Sequence, residues 1–164
     1  MPSSHPKTNA IRCLEQAGIP FEVCLYTYEE RGGTRVSARE LGVDEHRVVK
    51  TLIMETDAKQ PMVVLMHGDR EVSTKQLARV MGVKSVRPCD PQVAQRHSGY
   101  LVGGTSPFGT RRPMPVYVEA SILDLDPIYI NGGHRGLLVR INPQDLRKML
   151  DVTVVNVATG ETPT

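Results

Sequence analysis

The sequence predicts an α+β domain, a mixed and strongly curved β-sheet with helices packed around it. Three observations point there. Apolar runs of strand character crowd the middle of the 164-residue chain, between Val48 and Ile141. Helix-periodic segments flank them, bounded by capping residues or glycines. Strands and helices do not alternate regularly, which argues against a doubly wound parallel sheet. The length suits a single domain spanning 1–164, and no repeat or linker divides it.

Composition narrows the function classes. With 40% hydrophobic and 23% charged residues the chain is a soluble globular type. Aromatics are only 4%, without tryptophan, so an aromatic platform for single-stranded RNA is not expected. A net charge of +2 is too mild to predict nucleic-acid binding by itself, although local clusters could still attract phosphates. Cys13, Cys24 and Cys89 form no Cys-x-x-Cys pair, which disfavours a disulfide framework or zinc ribbon and fits a reducing cytoplasm. No run approaches 18 apolar residues and no basic-then-apolar leader opens the chain, so no membrane partner is expected.

Residues 1–6 are polar and read as a frayed start. Ala10, Ile11 and Leu14 share one helical face over Lys7–Ala17, with Gly18 as the stop. Phe21, Val23 and Leu25 alternate with polar neighbours as a half-buried strand that ends at Tyr26. Glu29–Arg35, with Gly32-Gly33, reads as a mobile loop. Ser37-Ala-Arg-Glu40 has capping-box spacing and predicts a helix start there. Asp44 caps a short turn. Val48–Met54 reads as a buried strand paired with Met62–Met66. Ser73 caps a helix with Leu77, Val80 and Met81 inward, closed by Gly82. Asp90-Pro91 opens a helix that ends at Gly99. Val116–Glu119, Ile128–Ile130 and Leu137–Ile141 are strands, the last two joined around Asn131-Gly-Gly-His-Arg-Gly136. Asn142-Pro143 opens a last helix with Leu146, Met149 and Leu150 inward. Val152–Val155 adds a short strand, and 158–164 reads as a disordered tail.

Chemistry concentrates in Gly99–Arg112, which holds four of the 14 glycines, the hydroxyls of Thr105 and Ser106, Pro107, and the guanidiniums of Arg111 and Arg112. Such a loop is either a tight turn between strands or a cradle of main-chain donors for an anion or polarised carbonyl. It is neither a Walker A loop nor a dinucleotide fingerprint, and Gly-x-Ser-x-Gly is absent. Lys50 interrupts an apolar run, so its stem snorkels to the surface or its ammonium meets a polar cavity. Thr51 points to the opposite face of a regular strand. His134 and Arg135 could meet a phosphate or form a solvated hairpin tip. The five histidines lack metal-ligand spacing, so neither metal nor cofactor is expected.

Val93-Ala-Gln-Arg-His-Ser-Gly-Tyr-Leu-Val-Gly-Gly-Thr-Ser-Pro-Phe-Gly109 resembles the core of the YbaK/EbsC family of aminoacyl-tRNA deacylases, relatives of the prolyl-tRNA synthetase editing domain. Val49-Lys50-Thr51-Leu52 and Asn131-Gly-Gly-His-Arg-Gly136 agree with further blocks of that family, in the right order. Thr105 and Phe108 are mild departures. The resemblance implies a compact mixed β-barrel with surrounding helices and release of a wrong amino acid from the tRNA 3′ acceptor end, with cysteine on tRNA(Pro) the usual target and prolyl-tRNA synthetase a possible partner. It implies a substrate-assisted reaction, in which the cysteinyl thiol attacks its own ester carbonyl. By position, Lys50 would contact the terminal adenosine or its phosphate, and the N–H groups of Gly103 and Gly104 would hold the ester carbonyl. Tyr26, Thr51, Thr105, Ser106, Pro107, Asn131 and Leu138 would line the substrate pocket. Arg111, Arg112, His134 and Arg135 would contact phosphates, an assignment made from charge alone. Leu138 stands where the cysteine branch often carries an acid, which brings alanyl, seryl or threonyl targets into reach. A non-catalytic tRNA- or synthetase-binding module is the competing reading.

Overall fold

The computed structural model describes residues 5–160. The chain opens with α1 (Asn9–Gln16), capped by Thr8, whose hydroxyl accepts from the Ile11 N–H. After β1 (Glu22–Leu25) come α2 (Gly33–Leu41) and a 3-10 turn at Glu45–Arg47. β2 (Val48–Thr56) and β3 (Pro61–His67) form a long antiparallel pair. β4 (Glu71–Val72), α3 (Thr74–Met81), β5 (Val86–Pro88) and α4 (Pro91–Ser98) lead to the glycine-rich loop. Beyond it lie β6 (Val116–Glu119), β7 (Ile128–His134), β8 (Leu137–Ile141), α5 (Leu146–Met149), β9 (Val152–Val155) and β10 (Ala158–Thr159).

The main sheet runs β1-β8-β7-β2-β3-β6-β9, with β5 paired to β2. It is mixed: β2–β7, β3–β6 and β6–β9 are parallel, the other pairs antiparallel. Successive strand residues face opposite sides, so each strand feeds two layers. Val49, Ile53, Leu65, Val118, Ile130 and Val139 pack with α1 in the largest core cluster. Met54, Met62, Val64 and Met66 face the other way, against Leu77 and Ala78 of α3. Both faces of β3 are therefore covered, which explains its unbroken apolar run. A third cluster joins Val48 and Leu138 to Ala38 of α2.

Several expectations need correction. α2 starts at Gly33 rather than at the Ser37 capping box, and the Ser37 hydroxyl donates to the Thr34 carbonyl inside the helix. Leu25 is 50% exposed, because β1 is the sheet's edge strand and pairs only with β8. Val80 is also exposed, and Ala78 takes the buried place beside Leu77. Asp90 sits at the N-cap position of α4, but its side chain makes no capping bond. Residues 158–160 are not a loose tail: β10 pairs with β4, and Ser73 N–H donates to the Val157 carbonyl. The frayed ends expected at 1–4 and 161–164 lie outside the described residues.

Candidate active site

Strand register puts the first site residues in a row. Val48 lies opposite Tyr129, Asn131 opposite Leu138, and Leu138 opposite Cys24. Lys50, two residues past Val48, shares that face with Asn131 and Leu138. This explains the lysine in an apolar run. Its stem is largely covered, its side chain only 20% exposed, and its Nζ lies 3.4 Å from Glu71 Oε1. The row forms one wall of a cavity of about 790 Å³, within the roughly 300–1,000 Å³ of small-ligand pockets.

The glycine-rich loop adds Val102, Gly103 and Thr105 to the lining. Gly99 closes α4 in the left-handed region, at φ 82°. The loop is then tied to the β7–β8 hairpin twice: Asn131 Nδ2 donates to the Gly103 carbonyl (3.1 Å), and Arg135 Nε donates to the Val102 carbonyl (2.9 Å). Asn131 Oδ1 accepts from the N–H groups of Gly133 and His134 in the β7 bulge, so one amide organises both segments. Gly103, at φ 90°, comes so close to Tyr28 that a Cβ would lie 2.7 Å from the phenol oxygen. The Arg135 guanidinium stacks over the same ring at 5.2 Å.

Of the residues expected at the site, Lys50, Thr51, Gly103 and Asn131 all line the cavity. Tyr26, Thr105, Leu138 and Arg135 line it as well. The remaining six do not. The Gly104 N–H donates to the Leu101 carbonyl at 2.8 Å, so it closes a turn and is not open to a substrate carbonyl. Ser106 is fully buried and its hydroxyl accepts from the Phe108 N–H, while buried Pro107 belongs to the same turn. Arg111 and Arg112 lie exposed beside the end of α4, where their N–H groups donate to the carbonyls of Ser98 and His97. His134 Nδ1 is bonded to the Arg135 carbonyl at 2.7 Å.

Tyr28, Arg31 and Arg35 are among the cavity residues that sequence reasoning missed. Tyr28 lies two residues past Tyr26, in step with it and out of phase with Phe21, Val23 and Leu25, so the sequence offered that spacing as a signal. Arg31 and Arg35 flank Gly32-Gly33 and line the cavity from the α2 side, exposed and without an ion pair among the described residues. Three carboxylates share that side of the lining: Glu29, which pairs with Arg39 at 2.7 Å, Glu45, which accepts from the Thr34 hydroxyl at 2.8 Å, and the exposed Glu30. Arg31 and Arg35 thus stand among carboxylates, and their guanidiniums suit a phosphate by geometry rather than by net charge.

Two groups that could pass for nucleophiles are not. Cys89 lines the cavity, but burial and then the Glu55 carboxylate push its thiol up to about 12, so it stays protonated at neutral pH. Ser121 meets His67 Nε2 at 2.6 Å, but His67 is buried outside the cavity, stacked on His46 at 3.7 Å. Burial raises the Tyr26 phenol above its ordinary value, so that hydroxyl is neutral. Among the described residues no three His, Cys, Asp or Glu side chains converge on a metal position, and no helix is long and apolar enough to cross a membrane.

Comparison with known proteins bears on the family and the fold. The chain is 28% identical over 156 residues, 94% of its length and 95% of the relative's, to EbsC of Enterococcus faecalis, a protein named as a proposed Cys-tRNA(Pro)/Cys-tRNA(Cys) deacylase. It is 31% identical over 127 residues to the proline–tRNA ligase of Moorella thermoacetica, matching 74% of this chain but 21% of that larger enzyme. A crystal structure described as a proposed trans-editing enzyme for prolyl-tRNA synthetase has the same fold, with a TM-score of 0.82 over 95% of this chain and all of that one, at 21% identity. Residues 31–149 match the profile of the aminoacyl-tRNA editing domain, and the chain belongs to that family.

Proposed function

We propose that this chain is an aminoacyl-tRNA deacylase acting in trans, and that it releases cysteine from mischarged tRNA(Pro). The observation that carries the reading is one cavity holding both the Lys50 ammonium and the Gly103 turn, with no activated nucleophile on its walls. The 3′-terminal adenosine enters with its phosphate toward Lys50, which exchanges the exposed Glu71 carboxylate for it. The Gly103 N–H makes no hydrogen bond to the described residues and faces the ester carbonyl, where an oriented donor is worth about 3 kcal/mol to a developing oxyanion. Bond breaking is then left to the substrate. The cysteinyl sulfur attacks its own ester carbonyl, the carbon–oxygen bond to the ribose breaks, and the thiol proton ends on the departing 3′-oxygen; the product is a four-membered thiolactone, which water opens to free cysteine. Arg31, Arg35 and Arg135 hold the preceding phosphates. Few such contacts are available, so prolyl-tRNA synthetase supplies part of the choice of tRNA.

Leu138 favours a second target. It is 4% exposed and apolar where the resembling cysteine enzymes often carry an acid, which suits a small side chain such as alanyl, whose ester carbonyl water would attack in place of a substrate thiol. A discharge panel of cysteinyl-, alanyl-, seryl- and threonyl-tRNA(Pro), with and without the synthetase, tests both. Release of cysteine fastest supports the first target, and alanine the second. Binding of the tRNAs without discharge of any would overturn the enzyme reading in favour of a binding module.

A further inference from the structure

The longest strand of the sheet has an open stretch of edge at the cavity. β2 pairs with β7 only at Val48 and Val49, and with β5 only from Met54 to Thr56. Between those ladders one side of β2 has no neighbouring strand. Hydrogen bonds outside the ladders fix which residue is open there. Gly68 N–H donates to the Val48 carbonyl and Thr56 N–H to the Gln60 carbonyl, so even-numbered residues of β2 bond toward β3. Odd-numbered residues turn the other way, as the Cys89 N–H to Ile53 carbonyl bond shows. Thr51 is odd, and both its N–H and its C=O point into the gap. The β7 ladder ends at Val49 and the β5 ladder starts at Met54, and no loop bond among the described residues reaches Thr51, so both groups lie outside every ladder on that side. Thr51 also lines the cavity and carries the one buried side-chain polar atom, Oγ1, without a partner among those residues.

We infer that the Thr51 main chain is the docking edge for the aminoacyl group, which pairs with it as a single residue of an added β-strand. An α-aminoacyl ester presents a donor and an acceptor in the spacing of one strand residue. Its ammonium donates to the Thr51 carbonyl, and its ester carbonyl accepts from the Thr51 N–H. The contact reads the free α-amine and ignores the side chain, which leaves side-chain choice to Leu138 and its neighbours. The inference rests on the deacylase reading and adds a requirement that reading lacks: the substrate must keep its amine.

The test uses two non-hydrolysable probes, 3′-alanylamido-3′-deoxyadenosine and its propionyl counterpart, which lacks only the amine. The alanyl probe should bind about tenfold or more tightly, as loss of one charge-assisted hydrogen bond predicts. In ¹⁵N-labelled full chain it should slow hydrogen exchange at the Thr51 amide more than at Val49 or Ile53. Thr51→Pro removes this N–H without touching the β2–β3 ladder and should weaken the alanyl probe; Thr51→Val keeps the edge and should preserve the preference. Equal affinity for the two probes, or a bound alanyl probe that leaves the Thr51 amide unprotected, overturns the inference while the discharge panel still stands. A preference that vanishes in Glu71→Gln also overturns it, since the amine would then be read by a carboxylate. Failure of the panel together with failure of both probes to bind removes the deacylase reading and this one with it.

Discussion

Replacing Gly103 by alanine tests the loop wall of the cavity. At φ 90° a non-glycine residue is strained by about 1–2 kcal/mol. The new Cβ would also lie 2.7 Å from the Tyr28 oxygen and 3.0 Å from Tyr28 Cε1, so the ring must swing away. A total loss of about 2 kcal/mol lowers Tm by about 4–8 °C in a domain of this size. Swinging Tyr28 also unseats the Arg135 guanidinium stacked 5.2 Å from its ring, and the Gly103 donor shifts with the turn. If that donor is worth about 3 kcal/mol, single-turnover discharge should fall by about 100-fold. Thermal unfolding and discharge would be measured for Gly103→Ala, Tyr28→Ala and the double variant. Tyr28→Ala removes the collision but not the backbone strain, so the double variant should lose less stability than the sum of the two. Strict additivity, or full discharge by Gly103→Ala, would refute the reasoning.

Lys50→Ala should lower discharge at least about tenfold, the worth of one charge-assisted contact, while Tm moves little because its partner Glu71 is 75% exposed. A large fall in Tm with unaltered discharge would assign Lys50 to stability instead. Cys89→Ser should leave discharge unchanged, since a thiol pushed up to about 12 supplies no thiolate at neutral pH. Loss of activity in that variant would bring a protein nucleophile back into the mechanism. Burial holds the His67 imidazole below its ordinary 6.5, so the unfolded chain takes up that proton first. Stability is therefore fully present above about pH 6.5 and falls as acid is added below it. Urea midpoints at pH 7.5 and 5 should differ less in His67→Asn than in the parent, and equal differences would count against His67 as the cause.

What could be read from the sequence was local. Lys50 stood out because a charge inside Val48–Met54 needs a partner, and its row mate Leu138 stood out against the family pattern. α1, α3 and α4 were legible because caps and glycines bracket apolar periodicity within a few residues. The start of α2 was not, since Ser37-x-x-Glu40 matches a capping box that the helix passes through. The fate of Gly104 was hidden for another reason: a glycine's N–H can be open or committed, and only the closure onto Leu101 decides which. Thr51 is the clearest case. Nothing within β2 states where β7 ends and β5 begins, because the positions of two other strands determine that gap.

The clasp between Ala158–Thr159 and Glu71–Val72 has a practical consequence. Thr159 sits opposite Glu71, whose carboxylate is the resting partner of Lys50. Trimming the chain before Ala158, or crowding that end with a purification handle, would loosen the counter-ion of Lys50. A kinetic change seen in such a preparation would belong to the handle and not to the enzyme.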